Sequence, residues 1–181
     1  MKTFIIMTVC LTALVLVPAA LMAQVPDPSR VKALDQALAG HSAQTYQRHA
    51  RENAHILYYY SQAPQPMPVA EAKAVVTTVQ QNLTAADKAL AKLKAEHAKE
   101  PEVLKLIATI EKHHAKAHEA CGMASEHCLK EHPDQKGIAN CCTAMWTELT
   151  AAEKETEKLL KLLKFEKLEP PKANAATPAA K

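Results

Sequence analysis

Glycine is nearly absent, with three residues in 181, at positions 40, 122 and 137. Aromatic side chains make up 4 % of the chain. Strands draw on aromatic and β-branched residues, and tight hairpins draw on glycine, so a β-rich fold is excluded. Charge of one sign is also missing as a block. The formal net charge is +3 and basic residues alternate with acidic ones, which removes the electrostatic footprint of a nucleic-acid binder. No phosphate-cradling loop, no Ser/His/Asp arrangement and no redox Cys-x-x-Cys occurs, so no enzyme is expected, with a di-iron oxidase-like bundle as the one enzyme alternative.

Long apolar runs are missing except at the start. Lys2 precedes the run Phe4 to Val17, and Pro18-Ala19-Ala20-Leu21-Met22-Ala23 follows with small residues. This is the pattern of a secretory signal peptide, residues 1–23, cleaved after Ala23. The run is too short for a membrane span, so no membrane attachment is expected once it is removed. A periplasmic or secreted location follows. Cys10 leaves with the signal. Four cysteines remain, an even number in an exported chain, and two disulfides in any of three connectivities are one reading of them.

What is present is helix material. Apolar residues recur at helical spacing, predicting an all-α, up-down-up-down four-helix bundle over residues 24–168, with a disordered Pro/Ala-rich tail at 169–181. The first helix is expected from about Ser29 to Ser61, ended by the proline-rich 63–68 segment. The second is expected from Val69 to Lys99, the third from Pro101 to about His132, and the fourth from Pro133-Asp134 to before Glu169. The third helix carries a seam at Val103, Ile107, Ile110, His114, Ala117, Cys121, Ala124 and Cys128. In the fourth it reads Ile138, Cys142, Met145, Leu149, Ala152, Thr156, Leu159 and Leu163. The expected seam of the first helix begins with Leu34 and Leu38 and turns polar in the middle, at His41, Thr45, Arg48 or His49, Glu52 and His55. It then returns to Ile56 and Tyr59.

Five of nine histidines and four of five cysteines fall between His113 and Met145. Thiolate, imidazole and thioether are the donors that soft and borderline metals such as Cu(I) and Zn(II) select. With the turn between the last two helices near residue 135, Cys128 faces Cys142, and Cys141 is one step away. Cys121 and Cys128, seven residues apart on one helix, are separated by about 10.5 Å and cannot bridge each other. The first helix, running parallel to the third, brings His55 near His127 and Cys128. His114 and His118 lie one turn apart, a spacing that lets two imidazoles hold one ion, and Cys121 extends that face. The candidate metal ligands are therefore His55, His114, His118, Cys121, His127, Cys128, Cys141, Cys142 and Met145. Glu52-x-x-His55 and Glu111-x-x-His114 match the repeated element of di-iron bundles, but the assumed register separates them by about 18 Å along the axis.

The segment around Cys121, Ala124, Cys128, His132 and Cys142, flanking a His-Pro-Asp turn, resembles the cysteine-rich four-helix-bundle copper-storage family over roughly 30 residues. Members of that family line the bundle with many Cu(I)-binding thiolates. Here the first two helices carry no cysteine, so the resemblance implies a low-capacity site of mixed Cys/His/Met character. The expected function is binding of a soft metal ion, copper first and zinc as the alternative, for sequestration or handling. The competing expectation is a disulfide-stapled helical structural or interaction module without metal. The chain names no protein partner for either.

Overall fold

The computed structural model describes residues 28–65, 68–130 and 133–165. The signal segment, the tail and His132 lie outside these residues. The described chain forms four helices, α1 Pro28–Ser61, α2 Val69–Glu96, α3 Pro101–Cys128 and α4 Gln135–Leu162, with no strand among the described residues. Leu34 onward forms one compact unit, which holds the bundle. No helix among the described residues is long and apolar enough to cross a membrane.

Polar contacts between helices mark the antiparallel order. Lys92 of α2 pairs with Asp35 of α1, and Lys94 of α2 pairs with Glu111 of α3. Glu148 of α4 takes both His113 and Lys116 of α3, and Glu153 of α4 takes Arg51 of α1. The helices stop where local chemistry stops them. Pro101 occupies the first turn of α3, where its missing N–H costs nothing. Asp134 caps α4 by accepting the Gly137 N–H at 2.9 Å. Three helices are shorter than the sequence predicts, α4 ending at Leu162 and not just before Glu169. The α2 helix ends at Glu96, with His97–Lys99 in a turn, and α3 ends at Cys128.

The seams expected on α3 and α4 are buried throughout, apart from half-buried Leu163. On α2, Ala72, Val76, Val79, Leu83, Ala86, Leu90, Leu93 and His97 are buried, and Val69 at its start is exposed. The α1 helix is different. Leu34, Leu38, Ile56 and Tyr59 are exposed, as are Thr45, Arg48, His49 and Glu52. Its buried stripe is Ala39, Gly40, Ala43, Gln47, Ala50, Ala54, Leu57 and Ser61. Burying the leucine stripe would also bury Arg48 or His49 and Glu52 at a heavy desolvation cost. The alanine stripe carries no charge along its length. Its small residues also make room for partners, as at Gly40, where a Cβ would lie 2.6 Å from Leu160.

The core has two apolar halves. Leu90, Leu93, Val103, Ile107, Ile110, Ala152 and Leu159 fill one with branched aliphatics. The other combines alanines and valines with Leu57, Leu83, Ile138 and Leu149, and holds all the core sulfur, Cys121, Cys128, Cys141, Cys142 and Met145. Between them, buried Gln47 of α1 reaches across the core to buried His114 of α3 at 2.9 Å.

Candidate functional site

All four described cysteines are buried free thiols in the same half of the core. Cys121 donates its thiol to the Val76 carbonyl at 3.7 Å. Burial, together with a smaller push from neighbouring cysteines, raises Cys121 and Cys142 to about 12. Cys128 is raised by burial and by Cys141, and Cys141 by burial and by the Asp134 carboxylate. Burial in a single apolar cluster groups the four sulfurs. It also leaves them protonated at neutral pH, because a thiolate in apolar surroundings loses its solvation.

The hairpin register differs from the expected one. Gly137 lies against the His127 ring and Glu148 against His113 and Lys116. Both contacts set α4 residues against α3 residues several positions nearer its start than expected, in keeping with the early end of α3 at Cys128. Cys142 shares one apolar cluster with Cys121, Cys128 and Cys141.

Two clefts reach the sulfur half from outside. One of about 190 Å³ is lined by His55, Tyr58, Cys142, Thr143 and Trp146. His55 stacks between Tyr59 and Trp146, with centroids at 4.5 and 4.6 Å, and Arg51 lies over Trp146 at 5.0 Å. His55 therefore sits beside Cys142 on the α1/α4 side and not, as the sequence suggests, beside His127 and Cys128. The other cleft, of about 450 Å³, opens at the α3/α4 turn, where Met123, His127, Asp134, Gly137 and Cys141 line it. His127 Nδ1 is 3.0 Å from Asp134 Oδ2. A Cβ at Gly137 would lie 2.5 Å from this ring, so the glycine gives the imidazole its seat. Met123, 43 % exposed, is a thioether that the sequence reading missed. Its signal is the Met123-x3-His127 spacing, one helical turn like His114 and His118.

His114 and His118 do not join the thiols. They turn to α2, where Asp87 receives both: His114 Nδ1 at 2.6 Å from Oδ1 and His118 Nε2 at 2.9 Å from Oδ2. Burial opposes the Asp87 carboxylate, but the hydrogen bonds and charge of the two histidines outweigh it and hold the carboxyl far below its usual range. Asp87 was not legible as a site residue, because nothing around it in the α2 sequence differs from an ordinary solvated face. The two Glu-x-x-His elements do not meet. Glu52 is exposed, Glu111 pairs with Lys94, His55 lies against Trp146 and His114 against Asp87.

The arrangement thus has three parts: a thiol and thioether cluster in the core, an imidazole–thioether–thiol cleft at the turn, and a His/Asp/His group on the α2/α3 side. Among the described residues, no group of three or more His, Cys, Asp or Glu side chains could hold a metal ion. No protein-family model matches this chain, and no curated protein or solved structure matches it significantly.

Proposed function

We propose that this is an exported helical bundle that binds a soft metal ion, copper(I) first and zinc(II) as the alternative, for sequestration or handling rather than catalysis. The observation that supports the reading best is the gathering of four free thiols and the Met145 thioether in one half of the core. Copper(I) is satisfied by as few as two thiolates, and soft ligands select it. Cys142 with Cys121 or Cys128 offers such a pair, with Met145 in the same cluster, and Cys141 with Met123 and His127 offers an outer set. Because burial keeps the thiols protonated, uptake displaces protons and affinity climbs with pH. Export rests on the Lys2 and Phe4–Val17 pattern. The likeness to copper-storage bundles around Cys121, Cys128 and Cys142 points the same way.

The test is a thiol count on the natively exported protein, followed by anaerobic titration with Cu(I) against a competing chelator. Four free thiols and Cu(I) uptake that falls in Cys121→Ala/Cys142→Ala are expected. Two disulfides and no retained copper would overturn the reading. The lack of a converged three-donor group favours a second reading, a metal-free structural or interaction module in which the thiols are small core fillers. That reading requires four intact thiols that take up no Cu(I).

A further inference from the structure

We infer that the outer face of α1 is an interaction surface for a second copy of this chain, packed α1 against α1 and antiparallel. Leu34, Leu38, His41, Thr45, Arg48, Glu52, His55 and Tyr59 recur at alternating four- and three-residue steps, the spacing of a coiled-coil seam. The buried alanine stripe occupies the opposite side of the same helix, so this seam faces away from the bundle. Leu34, Leu38 and Tyr59 are 50, 51 and 64 % exposed. Single exposed apolar residues are ordinary on a surface, whereas a periodic row along about 38 Å of helix is a seat for another helix.

The seam is complementary to itself when reversed. With a two-fold axis between the levels of Tyr46 and Gln47, Leu34 of one copy lies level with Tyr59 of the other, Leu38 with His55, His41 with Glu52 and Thr45 with Arg48. The contact is isologous and closes as a dimer. Aliphatic side chains meet rings at both ends, and Leu38 arrives at the row formed by Tyr59, His55 and Trp146, at the mouth of the 190 Å³ cleft. Charge favours the same orientation. Exposed Glu52 makes no ion pair among the described residues. His41 holds the Phe165 carbonyl through Nε2 at 2.9 Å, which leaves Nδ1 for that carboxylate. A parallel pairing would instead set Glu52 on Glu52 and Arg48 on Arg48, at a cost. Even antiparallel, the two Arg48 side chains approach across the axis. Polar seam positions weaken a helix pair while fixing its register, so a dissociation constant on the order of 10 μM is expected. The alanine stripe already fills the core, so the dilute chain stays folded as a monomer.

The experiment is sedimentation equilibrium of the natively expressed protein over about three decades of concentration around that value. Reductant and chelator are present, so neither a disulfide nor a metal joins the copies. A monomer–dimer equilibrium with no larger species is expected. Emission of Trp146, the one tryptophan, should move to the blue as the dimer forms, because Leu38 of the other copy covers its cleft. Leu38→Lys should leave a monomer that circular dichroism shows to be folded. Arg48→Leu should tighten the dimer about tenfold by removing the like-charge pair. A monomer at every concentration, open-ended association, or a dimer that persists in Leu38→Lys would each overturn the inference. Looser pairing in folded Arg48→Leu would overturn it too, since Arg48 would then have met Glu52 in another register. None of these outcomes depends on whether the thiols take up copper(I).

Discussion

Arg51→Ala should destabilise the bundle by about 2–3 kcal/mol at neutral pH and by much less in acid. Arg51 Nη1 lies 2.7 Å from Glu153 Oε2, with the side chains 21 % and 11 % exposed. Arg51 Nε and Glu153 Oε1 are buried and unpartnered. Removing one partner of a fully buried pair costs about 3–5 kcal/mol, whereas surface pairs are worth about 0–1. The partial exposure of Arg51 places this pair between the two, and the lost stacking over Trp146 accounts for about 0.5–1 kcal/mol of the total. Burial raises the Glu153 carboxyl above its ordinary 4.5, although Arg51 and Arg48 pull it down. A carboxyl raised in the folded state contributes stability that is fully present below its unfolded value and is lost as pH climbs through the folded value. Without Arg51 the folded value moves higher still. The gap between variant and parent should therefore open above the unfolded value and close below it. Urea denaturation followed by circular dichroism at about pH 7.5 and about pH 4 measures both, and the melting temperature at the higher pH should fall by roughly 5–12 °C. An equal loss at both pH values, or a loss below about 0.5 kcal/mol, would refute the reasoning.

The remaining expectations test the α1 face, the cleft at the turn and the thiols. Leu38→Lys, at a residue 51 % exposed, should change stability by no more than about 0.5 kcal/mol, whereas Ala50→Leu in the fully buried stripe should cost about 1–3. The reverse order in chemical denaturation would mean that α1 is turned the other way. Gly137→Ala adds helix propensity of about 0.5–1 kcal/mol but places a Cβ in the His127 ring. The His127 imidazole resonances should move while the fold stays intact, and unchanged resonances would contradict the contact. On timed alkylation with mass spectrometry, Cys141, which lines the open cleft, should react first. Cys121 and Cys142, pushed up to about 12 by burial, should react last and faster as pH rises. Early labelling of Cys121 would contradict its placement in the core.

Much of the architecture was legible in the amino-acid order. The three- and four-residue steps of α2, α3 and α4 come from strong apolar residues at helical spacing, and Pro101 and Asp134 mark helix starts by chemistry that acts within one turn. The α1 face was not legible. It carries two candidate stripes, and the one with the larger side chains, Leu34, Leu38, Ile56 and Tyr59, is the exposed one. Which stripe turns inward depended on whether Arg48, His49 and Glu52 could find buried partners, and that is a property of the neighbouring helices. The same limit governed the candidate sites. That Cys121, Cys128 and Cys142 point inward followed from the seam. The rungs of the hairpin depend on where α3 ends, and a few residues of error in that end move every one of them. Asp87 and Gln47 came to His114 from other helices, at separations of 27 and 67 residues. Helical period is a local property and can be read along one strand of sequence. Register and the meeting of distant polar groups are set by burial and pairing between helices, and they exist only once the bundle has closed.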